Sequence, residues 1–260
     1  MAKQTKAAQA LKSRSGSDLS YISFMEGNLA KDPPIRKGDR TRVRLRIACA
    51  RLLEQRGYHT MRVADITEEA GVAEGLFYTY FKDKLEITLQ VLTTMLEDVF
   101  SKQSLEFQPP TWHSGDHLYD AIFRANVKWI LISRANAGLM RCVLQVGDQE
   151  PEFWKLFQQI NTAWYERVAA SVVRHRPGRK PAIMFTLLLG AMMDEIVRRL
   201  IIYPDPALYK VLEELNGDDE LIAHASTLVW LRMMYPDAPL PAKLPKGVQL
   251  LAKWSMPTKP

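Results

Sequence analysis

Apolar residues in this chain recur mostly at intervals of three and four, the repeat that builds one buried face of an α-helix. Leu45, Ala48, Cys49, Leu52 and Leu53 stand at i, i+3, i+4, i+7 and i+8, and Gly57 follows where a glycine commonly closes a helix. Arg42, Arg44, Arg46, Arg51 and Glu54 take the opposite, polar face. The pattern next predicts a short helix over Val63–Ala70, with Val63, Ile66 and Ala70 on one side, and a tight turn at Gly71-Val72. A third short helix is predicted over Ala73–Tyr80. Leu85, Leu89, Leu92, Leu96 and Val99, spaced 4, 3, 4 and 3, predict a longer one.

Helical periodicity continues beyond Phe100 with almost no strand signal. A loop with Pro109-Pro110 is expected over 101–115, and Asp116 is placed to cap a helix reaching about Ser133. A short helix is expected around Ala137–Gln145. Pro151 suits the first position of a long helix to about Arg174, and Arg176-Pro177-Gly178 breaks it. Another long helix runs from about Pro181 to Ile202 and ends at Tyr203-Pro204. A short piece covers Ala207–Leu215, and Asp218 or Asp219 caps a last helix through about Tyr235. The expected fold is all-α. The final 25 residues, 236–260, hold six prolines and read as an irregular tail. Residues 1–35 read as a basic N-terminal arm with one weak apolar cluster: Leu19, Tyr21, Ile22, Phe24 and Met25. Either the arm is a mobile tail, or that cluster forms a helical turn that docks on the body.

Composition narrows the function. With 47% apolar and 25% charged residues in 260, the chain has the balance of an ordinary soluble globular protein. Two distant cysteines, Cys49 and Cys142, make no disulfide framework and favour a reducing, cytoplasmic setting. The longest apolar stretch, Ala182 to Met193, falls well short of the roughly 20 residues a bilayer needs, and the N-terminus lacks the apolar core of an export signal. The formal charge of +6 is uneven: residues 1–46 carry 11 Lys/Arg against 4 Asp/Glu, 47–86 carry 5 against 7, and 87–260 carry 19 against 18. The excess lies at the N-terminus, which permits a nucleic-acid partner. Lys3, Lys6, Lys12 and Arg14 would extend a grip on phosphates.

Two short helices joined by a glycine turn behind a basic helix make the helix-turn-helix plan. Ile66, Ala70, Val72 and Phe77 must pack for the helices to cross steeply, Gly71 supplies the sharp turn, and the second helix can then enter a major groove about 12 Å wide. The run from Arg40 to Ile87 resembles the DNA-binding domain of the TetR family of bacterial transcriptional regulators. The likeness is carried by Gly57-Tyr58, Asp65-Ile66, Ala70-Gly71-Val72, Gly75, Phe77-Tyr78, Tyr80-Phe81 and Lys84. It implies a helix-turn-helix domain over 36–84 and a helical effector-binding and dimerisation domain over 85–235. Tyr78, Tyr80 and Lys84 match positions that grip phosphates, and Thr41 and Arg42 are candidates for the flanking backbone. Arg62, Ala64, Ala73, Glu74, Gly75, Leu76 and Thr79 are the candidates for base readout. The chain departs from the family pattern at Met61, which stands where a capping Thr is common, and at Thr67, Leu76 and Leu85. Met cannot cap, so either Thr60 shifts in or the second helix starts elsewhere.

The resemblance further implies a homodimer on a palindromic double-stranded operator, with the interface on the last two long helices. Leu187, Leu188, Ala191, Met192 and Ile196 on one, and Ala225, Leu228, Val229, Leu231 and Arg232 on the other, are the candidates, with ordinary core packing as the alternative for each. A small, apolar or aromatic effector would bind among Trp129, Met140, Phe153, Trp154, Phe157, Trp164, Met184, Phe185 and Met192, unless these too are plain core. His113 and His117 have the spacing of two ligands on a helix, but Ser114-Gly115 interrupts it, so no metal is expected, nor any cofactor. No nucleophile, phosphate-loop or zinc motif supports an enzyme. The expected function is a ligand-released repressor in the cytoplasm, associated with the nucleoid. The alternatives are an effector-free DNA-binding protein and a small-molecule-binding helical domain with a vestigial head.

Overall fold

The computed structural model describes residues 19–100, 114–174 and 178–255. Every regular element among them is helical, in the order α1 (Tyr21–Lys31), α2 (Lys37–Arg56), α3 (Val63–Ala70), α4 (Glu74–Phe77), α5 (Lys84–Phe100), α6 (His117–Ala135), α7 (Ala137–Gln149), α8 (Pro151–Val173), α9 (Arg179–Val197, prolonged by a π-helical turn Arg198–Ile202), α10 (Pro206–Glu214), α11 (Asp219–Met234) and α12 (Lys246–Trp254). The all-α expectation holds, with a helix-turn-helix head followed by a helical C-terminal part. The described residues divide into two compact units: 19–100 with 134–162, and 114–133 with 163–255.

In the first unit the predicted face of α2 is buried as Leu45, Ala48, Cys49, Leu52 and Leu53. It packs on Ile87, Val91, Leu92, Met95 and Leu96 of α5 and on Leu139, Cys142, Val143 and Val146 of α7. Leu85 and Leu89 lie at the margin of that core. Enclosure pushes the Cys49 thiol up to about 12 and the Cys142 thiol up to about 11, so both are packing groups with little thiolate character. Gly138 lies so close to the backbone of Glu54 that a Cβ there would collide with it. At the same seam the Glu54 carboxylate accepts the N–H groups of Gly138 (3.0 Å) and Leu139 (2.9 Å), which caps α7 from α2.

The apolar cluster of the arm docks. Ser20 caps α1, Tyr21 and Met25 are buried, and Asn136 clamps the entry: its Oδ1 accepts from Tyr21 N (2.7 Å) and its amide donates to Leu19 O (2.9 Å). Over 19–31 the mobile-tail reading therefore gives way to the docked one. Lys3, Lys6, Lys12 and Arg14 lie outside the described residues.

The second unit is built on α9 and α11, which pack together; Ala182 and Leu189 of α9 and Trp230 and Met234 of α11 share a core with Ala169 and Val172 of α8. Asp116 caps α6 through Tyr119 N (2.9 Å) and Asp218 caps α11 through Glu220 N (3.0 Å), as their positions predicted. Inside this unit His224 stacks on Phe123 (ring centroids 4.0 Å apart) and its Nδ1 lies 3.0 Å from Tyr119 Oη. One expectation fails here. Part of the proline-rich tail is helical, because 246–254 is a proline-free window: α12 follows Pro245 and docks through Val248 and Ala252.

Candidate nucleic-acid interface

The head is shaped by its turn. Gly71 takes φ 64°, a left-handed conformation that costs glycine little. Its N–H bonds Glu68 O (3.0 Å), and Val72 N bonds Thr67 O (3.0 Å). Arg44, from the polar face of α2, donates to Ala70 O at 2.6 Å and so braces the end of α3. Ile66, Ala70 and Phe77 are buried and Val72 packs beside them, as the crossing of two short helices requires. At its start α3 is capped in an unforeseen way. Met61 is buried core, Thr60 donates its hydroxyl to Arg56 O instead of capping, and Asp65 reaches back to accept from Arg62 N (2.8 Å). The third helix is shorter than its predicted span. α-Helical bonding covers Glu74–Phe77, and the chain continues in tighter turns, with Thr79 N on Leu76 O and Tyr80 N on Phe77 O. Phe77 and Phe81 both bury their rings there, 5.6 Å apart.

This packing leaves all seven base-readout candidates exposed: Arg62 and Ala64 at the start of α3, and Ala73, Glu74, Gly75, Leu76 and Thr79 along α4 and its exit. A Cβ added at Gly75 would meet no atom within 4 Å. The phosphate candidates differ among themselves. Tyr78 is 58% exposed, with only its edge against Phe77. Tyr80 is half-buried, and its hydroxyl lies beside Gly38 at the start of α2. Lys84 sits 4.4 Å over the Tyr58 ring and donates to Tyr58 O (3.1 Å), which ties α5 to the Gly57 turn. Arg42 rests on the Phe81 ring and bonds Gln90. Thr41 is buried, and its hydroxyl donates to Lys37 O in its own helix. Arg44 and Asp65 act as positioning residues, a role the sequence pattern did not assign to them, because their partners are backbone atoms.

The effector candidates fall in both units. Met140, Phe153 and Phe157 belong to the core around α2, and the Trp154 ring lies tilted against Phe157. Trp164, Phe185 and Met192 line the core of the second unit, Trp129 is half-buried in α6, and Met184 is 58% exposed. A cleft of about 210 Å³ in the first unit is lined by α1, α2 and α5, and none of these nine residues faces it. Among the dimer candidates, Leu187, Leu188, Ala191 and Val229 are exposed, while Met192, Ile196 and Ala225 are half-buried. Leu228 and Leu231 are buried. Arg232 donates to Ala238 O (3.2 Å) just beyond the end of α11. Among the described residues, no helix is long and apolar enough to cross a membrane and no group of side chains could hold a metal ion. His113 lies outside them.

The model of the bacterial regulatory proteins of the tetR family matches residues 48–91, across α2 to α5. The HTH-type transcriptional activator FasR of Mycolicibacterium smegmatis is 35% identical over 90 residues, 33% of this chain and 41% of that protein. The fatty acid metabolism regulator protein of Bacillus subtilis is 35% identical over 63 residues, 21% of this chain and 32% of that protein. The chain thus spans less than half the length of either relative. A solved structure, the fatty acid degradation regulator FadR from Bacillus halodurans, superimposes with a TM-score of 0.51 at 13% identity, covering 77% of this chain and 97% of that one, a likeness of fold.

Proposed function

We propose that the chain is a regulator of the TetR type, as the match over residues 48–91 suggests, and that it is a repressor that binds a palindromic operator as a homodimer and is released by a small apolar effector. Its relatives are regulators, not enzymes, and they include regulators of fatty acid metabolism. The observation that carries the DNA-binding reading is the braced turn. With the Ala70 carbonyl held by Arg44 and Phe77 buried, the segment around α4 presents Ala73, Glu74, Gly75 and Leu76 outward together. Tyr78 would hold the phosphate beside them without reading sequence.

Dimerisation would align two such heads with half-sites one helical turn apart. The apolar effector would lie in the second unit, among Trp129, Trp164, Phe185 and Met192. The kinship with fatty acid regulators makes fatty acids the first candidates to try. Effector binding would favour a dimer spacing that no longer matches the operator. The test is binding of the full chain to duplex DNA from upstream of its own gene, titrated with salt, with and without fatty acids. Site-selective binding that weakens with added fatty acid is expected. Binding with no sequence preference at any salt concentration would overturn the reading.

A further inference from the structure

The most exposed large apolar side chain named in the head lies outside the helix-turn-helix. Ile35 is 98% exposed. It stands in the connection between α1 and α2, behind Pro33-Pro34 and before Arg36 and Lys37. The two prolines fix their own φ angles and carry no N–H, so the exposed tip sits on a stiff stretch of backbone. Both ends are anchored, α1 by its buried Tyr21 and Met25 and α2 by its long buried face. From Lys31 to Arg40 four cations, Lys31, Arg36, Lys37 and Arg40, outnumber the two carboxylates, Asp32 and Asp39. All six side chains are exposed.

The strap also lies at the edge where α4 ends. A Cβ added at Gly38, three residues after Ile35, would lie 3.4 Å from the hydroxyl of Tyr80, and Tyr80 follows α4 directly. A stiff apolar tip between cations, next to an element that enters the major groove, suits the adjoining minor groove. There an aliphatic side chain can wedge at a base step while arginine and lysine hold the phosphates on either side.

We propose that Ile35 is such a wedge, seated in the minor groove that flanks the base pairs read by α4, with Arg36, Lys37 and Arg40 on the phosphates. The proposal rests on the DNA-binding reading above and adds a second contact, one sensitive to the flanking sequence. An apolar wedge contributes affinity that salt does not screen, whereas each cation contributes to the salt slope. The minor groove distinguishes A·T from G·C mainly by the guanine 2-amino group, which obstructs a wedge.

The experiment selects a duplex from a randomised pool with the full chain. It then measures affinity on that duplex with the flanking pairs set to A·T, G·C or inosine·C, the last having a cytosine partner but no 2-amino group. The wild type should bind A·T and inosine·C flanks alike and G·C flanks more weakly. Ile35→Ala should lose roughly 10-fold in affinity, lose the flank preference and keep the salt slope. Ile35→Leu should retain all three. Arg36→Ala should lower the salt slope by about one. Unchanged melting temperatures are expected, since Ile35 touches almost nothing in the fold. A wild type indifferent to its flanks, or an Ile35→Ala protein with the wild-type flank preference and affinity, would overturn the wedge and leave the DNA-binding reading intact. If no duplex is selected at all, the underlying reading falls and the wedge with it.

Discussion

Gly75 is placed to be neutral for the fold while, on the proposed reading, it decides how closely α4 approaches DNA. Beyond its chain neighbours and its own helix backbone, the Cβ it lacks would meet nothing within 4 Å, so Gly75→Ala should leave stability unchanged or raise it by up to ~1 kcal/mol through helix propensity. The same methyl group would stand between the α4 backbone and the groove. Specific DNA affinity should therefore fall by about 10-fold, the cost of one spoiled base-pair contact. Parallel thermal melting and binding titrations check both halves.

His224 sets a second residue-scale expectation. Burial against Phe123 and Tyr119 pushes its imidazole down from 6.5 to about 4, and the nearby Asp120 carboxylate offsets only part of that shift. The folded chain thus keeps this histidine neutral while the unfolded chain takes up a proton near pH 6.5. Stability is fully present above that pH and declines as pH falls towards 4, by roughly 2–3 kcal/mol over the window. His224→Phe should remove that share of the acid sensitivity in melting curves recorded at pH 7 and pH 5. An unchanged slope in the variant would contradict the assignment.

At the scale of elements, the seam between α2 and α7 is the tightest test of packing in the head. Gly138→Ala puts a methyl group into the Glu54 backbone and should cost about 1–3 kcal/mol or more, because two packed helices must separate. Gly27→Ala in α1 meets open space and should be neutral or stabilising by up to ~1 kcal/mol. Chemical denaturation of the two variants side by side checks the contrast. Neither outcome is written in the sequence, where Gly138 falls in a predicted helix and Gly27 in the N-terminal arm. Periodicity did show α2, α3 and α5, and the aromatic run after Gly75 showed the head, since these depend on neighbours in the chain. What it left open depends on distant partners. The docking of α1 hangs on Asn136, 115 residues away. The start of α3 turns on an Asp65 side chain that reaches backward. The helix at 246–254 was hidden by the prolines counted around it. The effector candidates were chosen by residue type alone, and aromatic and methionine side chains fill cores as readily as they line cavities.

For the molecule as a whole, the proposed function calls for a contact between two copies of the chain. Met184, Leu187 and Leu188 of α9 and Val229 and Met233 of α11 are between 41% and 59% exposed. They are carried by two helices that pack against each other, so the exposed apolar positions belong to neighbouring elements. An apolar patch on two adjacent helices suits a second copy of the same surface around a twofold axis. Leu228 and Leu231, by contrast, are already buried in the single chain, which leaves the α9 positions and Val229 as the ones to test. Leu188 is 59% exposed, so Leu188→Glu should leave the helical content and melting of the isolated chain nearly unchanged. In a twofold interface it would bury two carboxylates near each other, which neither hydration nor a cation would compensate. Light scattering at micromolar concentration should then report a dimer for the wild type and a monomer for the variant. A monomer offers one head, so binding to the second half-site is no longer intramolecular, and affinity for the full operator should fall by about 100-fold or more. A single half-site should be bound by wild type and variant alike. A Leu188→Glu protein that remains a dimer would move the interface off α9, and a monomer with undiminished operator affinity would mean that a single head suffices for recognition.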